Sequence, residues 1–193
     1  MKRQPARVLE PADVHRLLTH AAGNRHDLRD RTIILLSFKA GLRACEIAGL
    51  TWPMVLRTDN RVSDHISVRK HIAKYGSGRR VPLHPALKGA LARHHRAIGS
   101  PTDGAIIHSE RGGHMTARSI VNWFHRAYAE LELTGCSSHS GRRTFITRSA
   151  RMVAKVGGSL RDIQELAGHR ALSTTERYIE GDREAQRKLV RLL

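Results

Sequence analysis

The chain has 193 residues, enough for one domain to bury roughly 70% of its unfolded surface without a disulfide or a structural metal. Hydrophobic residues make up 40% and aromatics only 4%, and no apolar run reaches the about 18 residues of a membrane span. Thirty-four Lys and Arg face seventeen Asp and Glu, a formal net charge of +17; such an excess repels itself in a compact state and calls for a polyanion, nucleic acid above all.

In chain order, the opening "MKRQPARVLEPADV" is basic but has no apolar core of a secretory signal. Cys45 and Cys136 lie outside any CxxC pair, so the chain reads as a reduced, cytoplasmic protein. Pro11 marks a helix start, with Val14, Leu17, Leu18 and Ala21 at helical spacing. "RDRTIILLSFKAG" is apolar on nearly all sides, which predicts a buried helix ending at Gly41, and "RACEIAGL" a second one. The texture then changes: "DHISVRKHIAKYGSGRRVPL" alternates Ile66, Val68 and Ile72 with polar residues, breaks at Gly76-Ser77-Gly78, and resumes toward Val81. That pattern predicts a β-hairpin with Pro82 at a strand end or edge.

Helical patterns return in "HPALKGALARHHRAI" and in "TARSIVNWFHRAYAELEL", where Ile120, Phe124, Ala127 and Leu131 share a face. "SLRDIQELAGH" opens on a capping pair, Ser159 and Asp162, and stops near Gly168; "STTERYIE" repeats the pattern with Ser173 and Glu176, placing Tyr178 early in a further helix. The fold class expected is mainly α with one small antiparallel sheet (α+β). No long basic amphipathic helix carries aromatic anchors, so a membrane surface is not the expected partner.

Several residues are suited to anion binding or proton transfer. Arg43 follows the helix-ending "AGL" and projects from a junction. Lys74 precedes the glycine-rich hairpin turn. His139 and Arg142, at i and i+3 in "HSGRRTFITRS", share a helix face. His169 follows Gly168, and Tyr178 follows a capping pattern. Taken singly each is commonplace: a surface cation, a structural histidine, a charged helix C-terminus, an amphipathic tyrosine.

Taken together, "AGLRACEIAGLTW", "AKYGSGRRVPL", "HSGRRTFIT" and "LAGHRALSTTERY", in that order, resemble the catalytic domain of the tyrosine recombinase (phage integrase) family. The resemblance runs from about Leu9 to beyond Tyr178 and includes "SERGGHMTARSIVNWFHRAY" before the His-x-x-Arg box. It implies a site-specific recombinase acting on double-stranded DNA through a 3′-phosphotyrosine, without metal or ATP. In that chemistry Tyr178 is the nucleophile, Arg43 and Arg142 clamp the nonbridging oxygens, and His139 serves as base or phosphate ligand. His169 donates to the phosphate, Lys74 protonates the leaving 5′-oxygen, and Glu46 is an outer carboxylate orienting Arg43. "YGSG" lacks the GK[ST] of a P-loop, and His94-His95 lack the partner spacing of a metal site, so no cofactor or metal is expected.

Arg143 stands where the family commonly has histidine. The chain is expected to be a single catalytic domain over residues 1–193 without an amino-terminal core-binding domain, similar in this to the short recombinases that invert fimbrial promoters. The tail at 182–193, "DREAQRKLVRLL", ends in a small apolar face of Leu189, Val190, Leu192 and Leu193 that fits either its own core or a neighbouring subunit. A monomer in solution and a homotetramer across two DNA sites, with accessory DNA-binding proteins as further partners, follow from the resemblance. A type IB topoisomerase-like enzyme and a non-catalytic DNA-binding regulator of the same fold remain open as alternatives.

Overall fold

Helix α1, Pro11–Ala22, begins at the proline as expected, because the N–H that proline lacks has no partner in a first turn. It faces inward through Leu17 and Ala21, with Val14 and Leu18 half-buried beside them. The computed structural model describes residues 4–178 together with 187, 190 and 191; apart from those three positions, the tail expected at 182–193 lies outside the described residues. Helix α2, Asp27–Lys39, is buried at every position from Thr32 to Phe38. A segment this apolar has no solvent face to offer, so it becomes the axis of the domain. It packs on α1, on α3 (Ala44–Gly49), on α4 (Pro85–Ala97) and on α6 (Ser140–Met152).

The hairpin is present as strands β1, His65–Val68, and β2, Arg79–Pro82, paired antiparallel from His65↔Pro82 to Val68↔Arg79. Pro82 closes the second strand, where a missing N–H costs the ladder nothing. Ile72 is not part of the strand. The ladder ends at Val68, and Ile72 sits in the 69–78 connection, where its side chain fills the space that a Cβ on Gly49 would occupy. Its apolarity reports burial against α3, which the alternation alone mistakes for strand.

Helix α5, Ala117–Glu130, buries Ile120, Phe124 and Ala127 on one face, with Leu131 at its C-cap, and packs on α3. Ser159 and Asp162 form the expected capping box of α7, Leu160–Ala167, which ends at Gly168 in the left-handed conformation that glycine adopts without strain. The next helix departs from expectation. Helix α8 spans Leu172–Glu176 with Ala171 as N-cap and no side-chain cap, and Tyr178 lies in the turn after it, its N–H on the Thr175 carbonyl at 3.0 Å. A tertiary contact sets this frame: Thr175 is fully buried and bonded to His169, which outweighs the capping preference of Ser173.

Two cores result. The larger joins Leu9, α1 to α5 and the hairpin; the smaller is Ile146, Ile163 and Ala167, with Phe145, Leu160 and Tyr178 packed against it. No described helix is long and apolar enough to cross a membrane.

Candidate functional site

The sequence "HSGRR" places a glycine where α6 meets α2. A Cβ at Gly141 would collide with Ser37 and Phe38, so only glycine lets the start of α6 approach this closely. Arg142 is carried inward with it and is 3% exposed. Its guanidinium donates from Nη1 to the Gly41 carbonyl at 2.6 Å, and from Nη2 to the Ala167 carbonyl at 2.7 Å and to His169 Nε2 at 2.9 Å. One side chain thus ties the α2–α3 junction to the end of α7. Burial, and then the nearby Arg43, bring its pKa down to about 10, so it stays cationic at neutral pH.

A guanidinium only donates, so His169 Nε2 must accept and the ring proton sits on Nδ1, facing Thr175 Oγ1 at 2.9 Å. Burial and then the cations Arg142, Arg43 and Arg79 hold the His169 pKa down to about 4, leaving the ring neutral. The expected donation from His169 to a phosphate is therefore not the arrangement seen: Nε2 is engaged as an acceptor by Arg142. The Tyr178 ring stacks on His169 with centroids 5.7 Å apart and planes 20° apart, and the Arg143 guanidinium lies 5.6 Å from its centroid. The small core of α6 and α7 supports the same ring from below.

Arg43 is the N-cap of α3 in extended conformation, one residue outside the helix expected to contain it. Glu46, fully buried one turn on, accepts from the Arg43 backbone N–H at 2.9 Å and from Arg43 Nη1 at 3.0 Å. Arg43, Glu46, Arg142, His169 and Tyr178 thus form one cluster. His139 is the exposed N-cap of α6, whereas Arg142, one turn on, is buried. Lys74 lies in the 69–78 connection with its ammonium 5.0 Å from the Tyr75 ring. Arg170 holds this tip, donating to the Tyr75 carbonyl at 2.6 Å with its guanidinium 5.3 Å from the same ring, so the residue after Lys74 is tied to the residue after His169.

Sequence reasoning passed over Arg79 and Thr175. Arg79 donates both terminal nitrogens to Glu46, at 2.8 and 3.0 Å, and Nε to the Leu166 carbonyl at 2.8 Å. A signal existed: Arg79 lies two residues before the buried Val81 in a strand, hence on its inward face, while Arg80 faces out to His65. The paired His94 and His95 instead donate from Nε2 to the Ile106 and Pro101 carbonyls, both at 2.8 Å, and pack on Trp52. No group of metal-ligating side chains forms among the described residues.

Known proteins carry the same arrangement of elements. The integrase of transposon Tn1549, in complex with transposon right-end DNA, superposes with a TM-score of 0.74 at 20% identity, over 100% of this chain and 67% of that one. XerA recombinase gives 0.70 at 21% identity, covering 98% and 65%; likeness at this identity establishes the fold. By sequence, the chain is 28% identical over 190 residues to tyrosine recombinase XerC of Actinobacillus pleuropneumoniae, covering 94% of this chain and 56% of that protein. It is 33% identical over 184 residues to tyrosine recombinase XerD of Pseudomonas aeruginosa, covering 88% and 56%. The chain spans about half the length of these curated relatives. The model of the phage integrase family matches residues 7–184, a span that takes in the arginine cluster, the hairpin and Tyr178 alike, and the chain belongs to that family.

Proposed function

We propose that the chain is the catalytic part of a site-specific recombinase that cleaves and rejoins double-stranded DNA through a 3′-phosphotyrosyl intermediate. The observation that carries this reading is the cluster itself: two arginines from separate elements converge with His169, and the Tyr178 ring is stacked on that histidine. Planar guanidinium matches the nonbridging oxygens of a phosphate, and a low-dielectric setting strengthens each bond as charge develops.

In the step proposed, Tyr178 Oη attacks phosphorus while the bond to the 5′-oxygen breaks. His139, at the exposed start of α6, takes the tyrosine proton. Lys74, swung in on its connection, gives a proton to the leaving oxygen. Atoms and charge balance, and the reverse reaction with a partner strand's 5′-hydroxyl reseals the DNA without ATP. His169 in its present tautomer holds Arg142 from behind; donating to phosphate from Nε2 requires a proton there. On this reading the protein acts in the cytoplasm, as a monomer that assembles as a tetramer across two sites.

Capture of covalent complexes on fragmented host genomic DNA, followed by sequencing of the attached ends, tests the reading. Ends that converge on one short sequence are expected of a recombinase. Scattered ends indicate a topoisomerase-like relaxing enzyme, and no covalent ends indicate a DNA-binding regulator; either result overturns the proposal.

A further inference from the structure

Glu46 is a carboxylate with no exposure to solvent, and four donors fill its two oxygens. Oε1 accepts from Arg43 Nη1 at 3.0 Å and Arg79 Nη1 at 2.8 Å; Oε2 accepts from the Arg43 backbone N–H at 2.9 Å and Arg79 Nη2 at 3.0 Å. The two arginines are used differently. Arg79, its side chain 6% exposed, spends its whole fork inward: both terminal nitrogens on Glu46 and Nε on the Leu166 carbonyl. The Arg43 guanidinium makes a single hydrogen bond among the described residues, through Nη1, and its side chain is 18% exposed. The fold also keeps room for Arg79, since a Cβ at Gly168 would press on its Cδ and Nη1 at 3.0 Å.

We propose that Arg79 is a positioning residue for the phosphate clamp: by satisfying Glu46 with a bidentate pair, it limits that carboxylate to the one Arg43 nitrogen it already holds, so the rest of the Arg43 guanidinium stays available to the scissile phosphate. The inference rests on the recombinase reading above. Its physical basis is that a buried carboxylate deprived of one partner draws on whatever donor remains, and Arg43 is the donor next to it. The charged and titratable groups that face Glu46 are Arg43 from its own element, Arg79 from β2, Arg142 from α6 and His169 from beyond α7. Burial pushes the Glu46 carboxyl up, and the Arg79 pair and Arg43 more than offset it, leaving the pKa below the ordinary value. Without Arg79 the balance shifts upward, so a falling pH protonates Glu46 and releases Arg43.

The test measures covalent adduct formation on the DNA site recovered by the capture experiment, for wild type, Arg79→Met, Arg79→Lys and the double variant Arg79→Met/Glu46→Gln. Arg79→Met is expected to slow cleavage by about 10–10²-fold, somewhat less than loss of a transition-state donor outright. Adding Glu46→Gln is expected to recover about tenfold of that loss. The rate of Arg79→Met relative to wild type is expected to climb as pH falls, since loss of Arg79 shifts the Glu46 carboxyl upward. A double variant no faster than Arg79→Met, with a flat pH ratio, makes Arg79 a scaffold residue and overturns the proposal, as does an Arg79→Met protein as fast as wild type. Should Arg79→Met not fold, Arg79→Lys, which keeps the charge but not the fork, decides by whether adding Glu46→Gln recovers its cleavage rate. A wild type that forms no Tyr178-dependent adduct defeats the recombinase reading itself, a result distinct from all of these.

Discussion

His169 concentrates the electrostatics of the site in one ring. It sits neutral beside three arginines because burial and their charges oppose a further proton, and its pKa is held at about 4. In an unfolded chain the same ring titrates near 6.5. The unfolded state therefore binds more protons between those values, and stability is complete above about pH 6.5 and is lost as pH falls toward 4. The loss from this group is on the order of 1–3 kcal/mol. Denaturant titrations at pH 7 and pH 4.5 are expected to show it in wild type and not in His169→Asn; equal slopes in the two proteins contradict the assignment. The two arginines proposed to clamp the phosphate carry a separate expectation. Arg43→Ala and Arg142→Ala should each slow strand cleavage by about 10²–10³-fold if each stabilises the transition state as one donor. Lys74→Ala should be rescued by a 5′-bridging phosphorothiolate, whose sulfur leaves without a proton, and failure of that rescue removes Lys74 as the acid.

The elements show how far residue patterns reach. Local rules suffice where one segment decides its own state: Pro11 starts α1, the apolar run of α2 is buried, and Ser159 with Asp162 caps α7. They fail where a distant partner decides. Ile72 looks like strand but packs under Gly49, and Ser173 looks like a cap until buried Thr175 fixes α8 two residues earlier. Likewise Arg43, Glu46, Arg142 and Tyr178 are recognisable by their order along the chain, whereas Arg79 becomes visible only when Glu46 is seen to be buried between two arginines. The approach of α6 to α2 depends on Gly141. Alanine there gains about 1 kcal/mol of helix propensity but forces Ser37 and Phe38 aside at an overpacking cost of about 1–3 kcal/mol. Because both neighbours are themselves packed against α2's buried surroundings, the cost is expected to win. Gly141→Ala should lower Tm by up to about 8 °C, and a raised Tm contradicts the close contact.

For the whole molecule the net charge of +17 is the dominant fact. Phosphate contacts release condensed counterions, so affinity for duplex DNA should fall steeply with salt. With about 6–10 contacts the loss is about 10³–10⁵-fold between 50 and 200 mM. A log–log slope near zero would remove DNA as the polyanion that this charge serves. Tyr178, stacked on His169 beside the arginine cluster, is the residue proposed to become covalently joined to DNA. The most direct test is trapping on a nicked substrate whose short 5′ fragment diffuses away after cleavage, with peptide mass mapping of the adduct. A denaturation-resistant complex is expected, formed in the presence of EDTA, with the nucleotide on Tyr178, and none from Tyr178→Phe. A complex still formed by Tyr178→Phe, or a nucleotide mapped to another residue, would contradict it.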